Sequence, residues 1–172
     1  MALKSLDELE RSVSSTDSTA VNWQIWETVR ELAVGRMGDG GLDVATRLRW
    51  AELALAAVRR KSEASNSDSL RTMTEIARIR AHAIREFGVG KNGELRDPVD
   101  LCRSALLEIG ESRAEVRAEA SHWRTLPAEK MLRLRLIKNM LTPLQGLEAL
   151  LPSRGSMHQE LTGWLSLLPD LP

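Results

Sequence analysis

The chain has no tyrosine, one phenylalanine, one cysteine and three histidines, and its 24 basic residues equal its 24 acidic ones. Each shortage excludes a class of function. A lone Cys102 cannot form an intramolecular disulfide or an all-cysteine zinc site, which leaves it the role of a small apolar core residue. A carboxylate-bridged di-metal bundle needs Glu-x-x-His on two helices, and only Glu119 and His122 have that spacing. No serine sits in a nucleophile elbow, and no glycine-rich loop carries a Walker lysine. Zero net charge supplies no overall field toward nucleic acid or anionic lipid. The longest apolar stretches are too short and too charged to span a bilayer. The opening MALKSLDELER is acidic within a few residues and has no apolar signal region, so a cytoplasmic location is expected. Together these shortages predict no cofactor, no metal, no membrane partner and no catalysis.

What the chain has in quantity is alanine, leucine, arginine and glutamate, a helix-forming vocabulary with few β-branched runs. The expected fold is all-α: one domain of six to eight helices packed around a central buried helix at residues 128–141. There Met131, Leu132, Leu134, Leu136, Ile137, Met140 and Leu141 fall nearly all round the axis, the pattern of a buried helix. Caps mark several starts. Ser5 with Glu8 and Ser112 with Glu115 make capping boxes, Asp43 caps a third helix, and Asp97–Pro98 opens a fourth. Residues 1–18 read as an N-terminal segment with a short helix, and 19–172 as the helical domain, closing with apolar helices at 142–152 and 156–168. Gly88, Gly90 and Gly93 spell G-x-G-x-x-G, but a helix precedes them where a dinucleotide fingerprint needs a strand, so they predict a turn.

Candidate contact positions follow from residues that break the helical patterns. Trp23 lies off the apolar face of its helix, beside Arg30, as an aromatic anchor would. The helix from Ser112 to Trp123 is charged with both signs around a thin apolar seam: Glu115 and Glu119 line one flank, Arg113 and Arg117 another. It could pair with a like helix in an oligomer. Leu161, Trp164, Leu165 and Leu168 form a terminal apolar face suited to docking. Arg80 projects into the apolar side of its helix, where an unpaired guanidinium is very costly, so a carboxylate partner is expected for it. These features favour a self-associating helical adaptor that docks a protein partner.

A nucleic-acid alternative rests on other residues. Arg71, Arg78 and Arg85 recur at seven-residue steps with His82 beside them, a stripe that could meet phosphates. SALLEIGESRAEVRAEA has the Ile109, Gly110 and Val116 spacing of a helix-turn-helix, although Glu111, Glu115 and Glu119 would face the phosphates. With GEL at 93–95 between helices and LP at 126–127, the chain diffusely resembles phage terminase small subunits. That resemblance implies a ring-forming DNA-packaging adaptor with the arginine stripe as its contact.

Overall fold

The computed structural model describes residues 5–15, 22–66, 69–88 and 96–172. Among them the caps form as the sequence predicts. Ser5 and Glu8 exchange both hydrogen bonds of a capping box at the start of α1 (Leu6–Ser14), and Asn22 caps α2 (Trp23–Met37). Asp43 accepts from the Thr46 amide to open α3 (Val44–Ser65), which ends on Asn66 in the left-handed region, φ 48°. After α4 (Ser69–Phe87), Asp97 and Pro98 start α5 (Pro98–Ile109), which Gly110 stops at φ 70°. Ser112 and Glu115 box the start of α6 (Arg113–Ala120); α7 (Ala128–Leu141) and α8 (Ser156–Leu165) complete the set. The described residues contain eight α-helices and no strand, a helical bundle.

Two apolar cores share one wall. The first gathers Leu9 and Val13 of α1, Trp26, Val29 and Ala33 of α2, and Trp50, Leu53, Ala54, Leu55, Ala57 and Val58 of α3. The second gathers α5, α6, α7, α8 and the turns between α7 and α8. Helix α4 faces both. Taking Leu70 as zero and about 100° per residue, Leu70, Ala77, Ala81 and Ile84 cluster within about 40° of it and enter the second core. Ile76, Ile79 and Ala83 lie roughly 140° away and enter the first. Met73 packs against both cores, at the edge where the two faces meet. The apolar arc that reads as one wide face in the sequence is two narrower ones.

This changes the expected centre. Helix α7 buries Leu134, Ile137, Met140 and Leu141, but Leu132 on its other side is 47% exposed. The all-round apolar pattern over-predicts burial because Leu132 meets water, and the element that holds the molecule together is α4. Three further differences are local. Residues 142–152 form 3-10 turns, Thr142–Leu144 and Leu147–Leu150, rather than a helix, because Gly146 between them takes φ 85°. Helix α8 stops at Leu165 and continues in turns, with Leu167 and Leu171 still buried. The N-terminal segment is not a separate piece, since α1 packs Leu9 and Val13 against α3 and is bound there by Arg49 to Asp7 and Glu10. The Gly90 and Gly93 turn and the GEL tripeptide fall outside the described residues.

Candidate functional site

The corner between α5 and α6 is fixed from beneath. Gly110 reverses the chain, and Arg133 of α7 reaches up to it, donating from Nε to the Glu111 carboxylate at 3.0 Å and from Nη2 to the Ile109 carbonyl. Satisfying that carbonyl with a cation also suits the negative end of α5. Helix α8 packs alongside, with Trp164 buried and its indole N–H donating to Glu160 at 3.0 Å. Between the two helices runs an open groove of about 360 Å³. Leu106, Leu107, Met157 and Trp164 supply its apolar wall, and Arg103, Glu111, Arg113 and Glu160 supply charge.

Two residues in the groove stand out. Leu107 is 74% exposed, more than any other large apolar residue described. Arg113 lies flat against α8 at Gly163, where an added Cβ would coincide with its guanidinium, so glycine is what lets the arginine lie there. The other charges are engaged: Arg103 with Asp100 at 2.9 Å, Glu111 with Arg133, Glu160 with the Trp164 indole. Among the described residues Arg113 has no hydrogen-bond or ion-pair partner. A larger hollow along α1, lined by Glu8, Arg11, Ser12 and Ser15, is walled by that one helix and the residue after it and encloses nothing.

Of the residues singled out in the sequence, Arg113 and Trp164 meet in the groove and the others are dispersed. Trp23 is 43% exposed at the start of α2 and remains available as an anchor. Helix α6 is shorter than Ser112–Trp123: it ends at Ala120, and Trp123 sits in a 3-10 turn, half-buried against the second core. Its charges are largely spent. Glu115, though exposed, closes the capping box, Glu119 pairs with Lys130 of α7, and Arg117 is exposed on the solvent side. Leu161 and Trp164 are core residues, with Leu165 and Leu168 packed half-buried beside them, so the terminal apolar face docks onto its own chain.

The basic stripe also divides. Arg71 and Arg78 are exposed, but Arg85 donates to the Pro143 carbonyl at 2.7 Å and to the Gln145 carbonyl at 3.2 Å, closing the turn after α7. His82 is half-buried and its Nε2 is sealed from water without a hydrogen-bond partner. Desolvation lowers its pKa, which keeps the ring neutral and unsuited to phosphate. Arg80 is 3% exposed and engaged, between the two faces of α4. Burial pushes the Cys102 thiol up to about 11, far from a reactive thiolate. Among the described residues no three His, Cys, Asp or Glu side chains converge as metal ligands, and no helix is long and apolar enough to cross a membrane.

Arg113 and Trp164, marked in the sequence, both line the groove, whereas Leu107 was not marked, although its signal was there. On α5 the buried residues Leu101, Cys102, Ala105 and Ile109 share a face, and Leu107 falls about 175° from its centre. A leucine alone on the polar side of an amphipathic helix has no core to serve. Comparison with family models, with curated proteins and with solved structures finds no match for this chain.

Proposed function

We propose that this chain is a non-catalytic, cytoplasmic interaction protein, a helical adaptor that self-associates and docks a protein partner. The observation that carries the reading is Leu107, set 74% exposed over an apolar groove beside a core that buries ten other leucines. Covering such a side chain is worth about 1.5–3 kcal/mol to whatever covers it. Trp23 and Ile25, exposed on different sides of α2, add apolar surface in the other half of the molecule. Apolar surface on both halves suits an adaptor. The DNA-packaging alternative keeps Arg71 and Arg78 but lacks a free Arg85 and a charged His82.

Light scattering at low and physiological salt, with and without a random-sequence duplex, tests the reading. An oligomer that ignores duplex and shrinks on Trp23→Glu or Leu107→Glu is expected. A monomer that binds duplex with affinity falling steeply as salt rises would overturn it in favour of the arginine stripe.

A further inference from the structure

We infer that His82 is a pH-sensitive latch: neutral, it holds the glycine-rich turn between α2 and α3 against the end of α4, and protonated, it lets that turn go. The latch is a line of contacts across three helices. At its base the His82 ring lies half-buried on α4, with Nε2 sealed from water and without a hydrogen-bond partner. That ring meets Phe87 edge to face, with centroids 6.4 Å apart and planes at 80°. Phe87, the last residue of α4, is in turn the platform for the Arg47 guanidinium of α3, which stands 4.7 Å from its ring centroid. The guanidinium donates from Nε to the Met37 carbonyl at 2.9 Å and reaches Glu86 at 3.5 Å. Met37 is the last residue of α2, so one arginine ties the ends of α2 and α4 to the start of α3. The turn it closes, residues 38–43, reads GDGGLD. Within it Leu42 packs on the first core, while the Asp39 carboxylate bonds only its neighbours Arg36 and Gly41.

Protonation is what this seat does not accept. A neutral ring can leave one nitrogen idle as an acceptor, whereas an imidazolium puts a charged N–H at the same sealed point with nothing to receive it. The charges around the ring do not compensate. Among the described residues burial disfavours the cation most; Glu86 of α4 favours it, and Arg85 of α4 and Arg47 of α3 oppose it, which leaves the pKa below the ordinary 6.5. A ring that swings into water recovers the ordinary value. The open form therefore binds the proton more tightly, and acid draws the ring out from beside Phe87. Once in water the imidazolium stands one helical turn from Glu86 and competes with Arg47 for it. Opening should grow by up to about tenfold per pH unit below about 6.5, until the pKa of the closed form is reached.

The test is amide hydrogen exchange on the full chain between about pH 7.5 and about pH 5, with each rate divided by its intrinsic value at that pH. The amides to follow are Leu42, Thr46 and Arg47, which bond Asp39 and Asp43 within the turn. Their protection should fall about fivefold or more across that range. Loss of the α3 cap does not enter, because the bonds from Thr46 hold the Asp43 carboxyl below its ordinary 3.8. His82→Gln, which takes up no proton, should remove the pH dependence. Phe87→Leu keeps the histidine but cuts the line above it, so it should loosen the turn at neutral pH and leave acid little to add. No fall in the unaltered chain, or a fall that persists in His82→Gln, would overturn the latch. So would exchange at these amides that rises steeply in about 1 M urea, since opening one turn exposes little surface and a steep rise marks global unfolding. The ring's own titration, followed by NMR at Cε1–H, needs no variant: a midpoint below about 6.5 is expected, and one at or above it would overturn the latch.

Discussion

The two cores on either side of α4 are built from different materials. The C-terminal core contains ten buried leucines and the N-terminal core three, and the N-terminal one is filled instead by two tryptophans and alanines that let α2 and α3 approach closely. Their polar ties differ in the same sense. In the N-terminal half Lys61 of α3 sits between Glu27 of α2 at 2.8 Å and Glu75 of α4 at 3.2 Å, Arg30 adds a second cation to Glu27 at 2.7 Å, and Arg47 reaches Glu86 at 3.5 Å. In the C-terminal half the cations close backbone ends: Arg85 on Pro143, Arg133 on Ile109, and Lys138 on the Leu171 carbonyl at 2.7 Å. Among the described residues three-helix charge sharing is confined to the N-terminal half, whereas between elements the C-terminal half has only the single pairs Glu119–Lys130 and Glu111–Arg133 beside its backbone seals. Association between helices should therefore respond more to salt in the N-terminal half than in the C-terminal half.

The largest effect should come from the leucine core. Leu134→Ala empties a fully buried site and should cost about 2–5 kcal/mol in denaturant unfolding followed by circular dichroism. Because α4 serves both cores, α2 and α3 should lose hydrogen-exchange protection in the same transition. Protection that survives there would show the halves to be independent. Lys61→Met should act more weakly, on the order of 1 kcal/mol, since Arg30 still neutralises Glu27. Its effect should shrink in about 1 M salt, where screening acts within about 3 Å, whereas that of Leu134→Ala should not.

Local signals were legible because they are local. The caps at Ser5, Asp43, Asp97 and Ser112 need only a few consecutive residues, and all four form. The buried position of Arg80 was also readable from its phase on α4. Allocation of apolar faces to partners was not. Leu161 and Trp164 look the same in sequence whether they meet another protein or α5, and only the return of the chain across α5 decides between them. Arg85 reads as a free cation until the turn at Pro143 is placed beside it. Arg113 and Trp164 of the groove were marked, but the signal from Leu107 was faint because a single exposed leucine is ordinary on any helix.

Acidification should separate the halves further. The Arg30 guanidinium beside Glu27 holds its carboxyl at about 2, below the ordinary 4.5, with Lys61 assisting. A carboxylate with a lowered folded pKa adds stability fully above its unfolded pKa, and that stability is lost as pH falls from about 4.5 toward about 2. His82 adds to the same trend. Desolvation lowers its folded pKa, so folding favours the neutral ring, and the stability it lends is present above about 6.5 and declines on acidification. Denaturant midpoints measured at falling pH should therefore drop, and Glu27→Gln should flatten the fall below pH 4.5. An unchanged slope in that variant would show that the α2–α3–α4 charge network contributes nothing in solution.

The smallest effect on stability belongs to the residue on which the functional reading depends most. Leu107→Glu removes a side chain that is already 74% in water, so its cost to folding should stay within about 0.5 kcal/mol. A core leucine of the same half, replaced likewise, would bury an unpaired carboxylate and unfold the protein. Self-association, read by light scattering, should move the other way and be nearly lost in Leu107→Glu. If Leu107→Glu instead destabilises the fold by more than about 1 kcal/mol, the leucine is packing against its own chain in solution. The groove would then be closed, and the contrast between the buried leucine core and its most exposed neighbour, Leu107, would disappear.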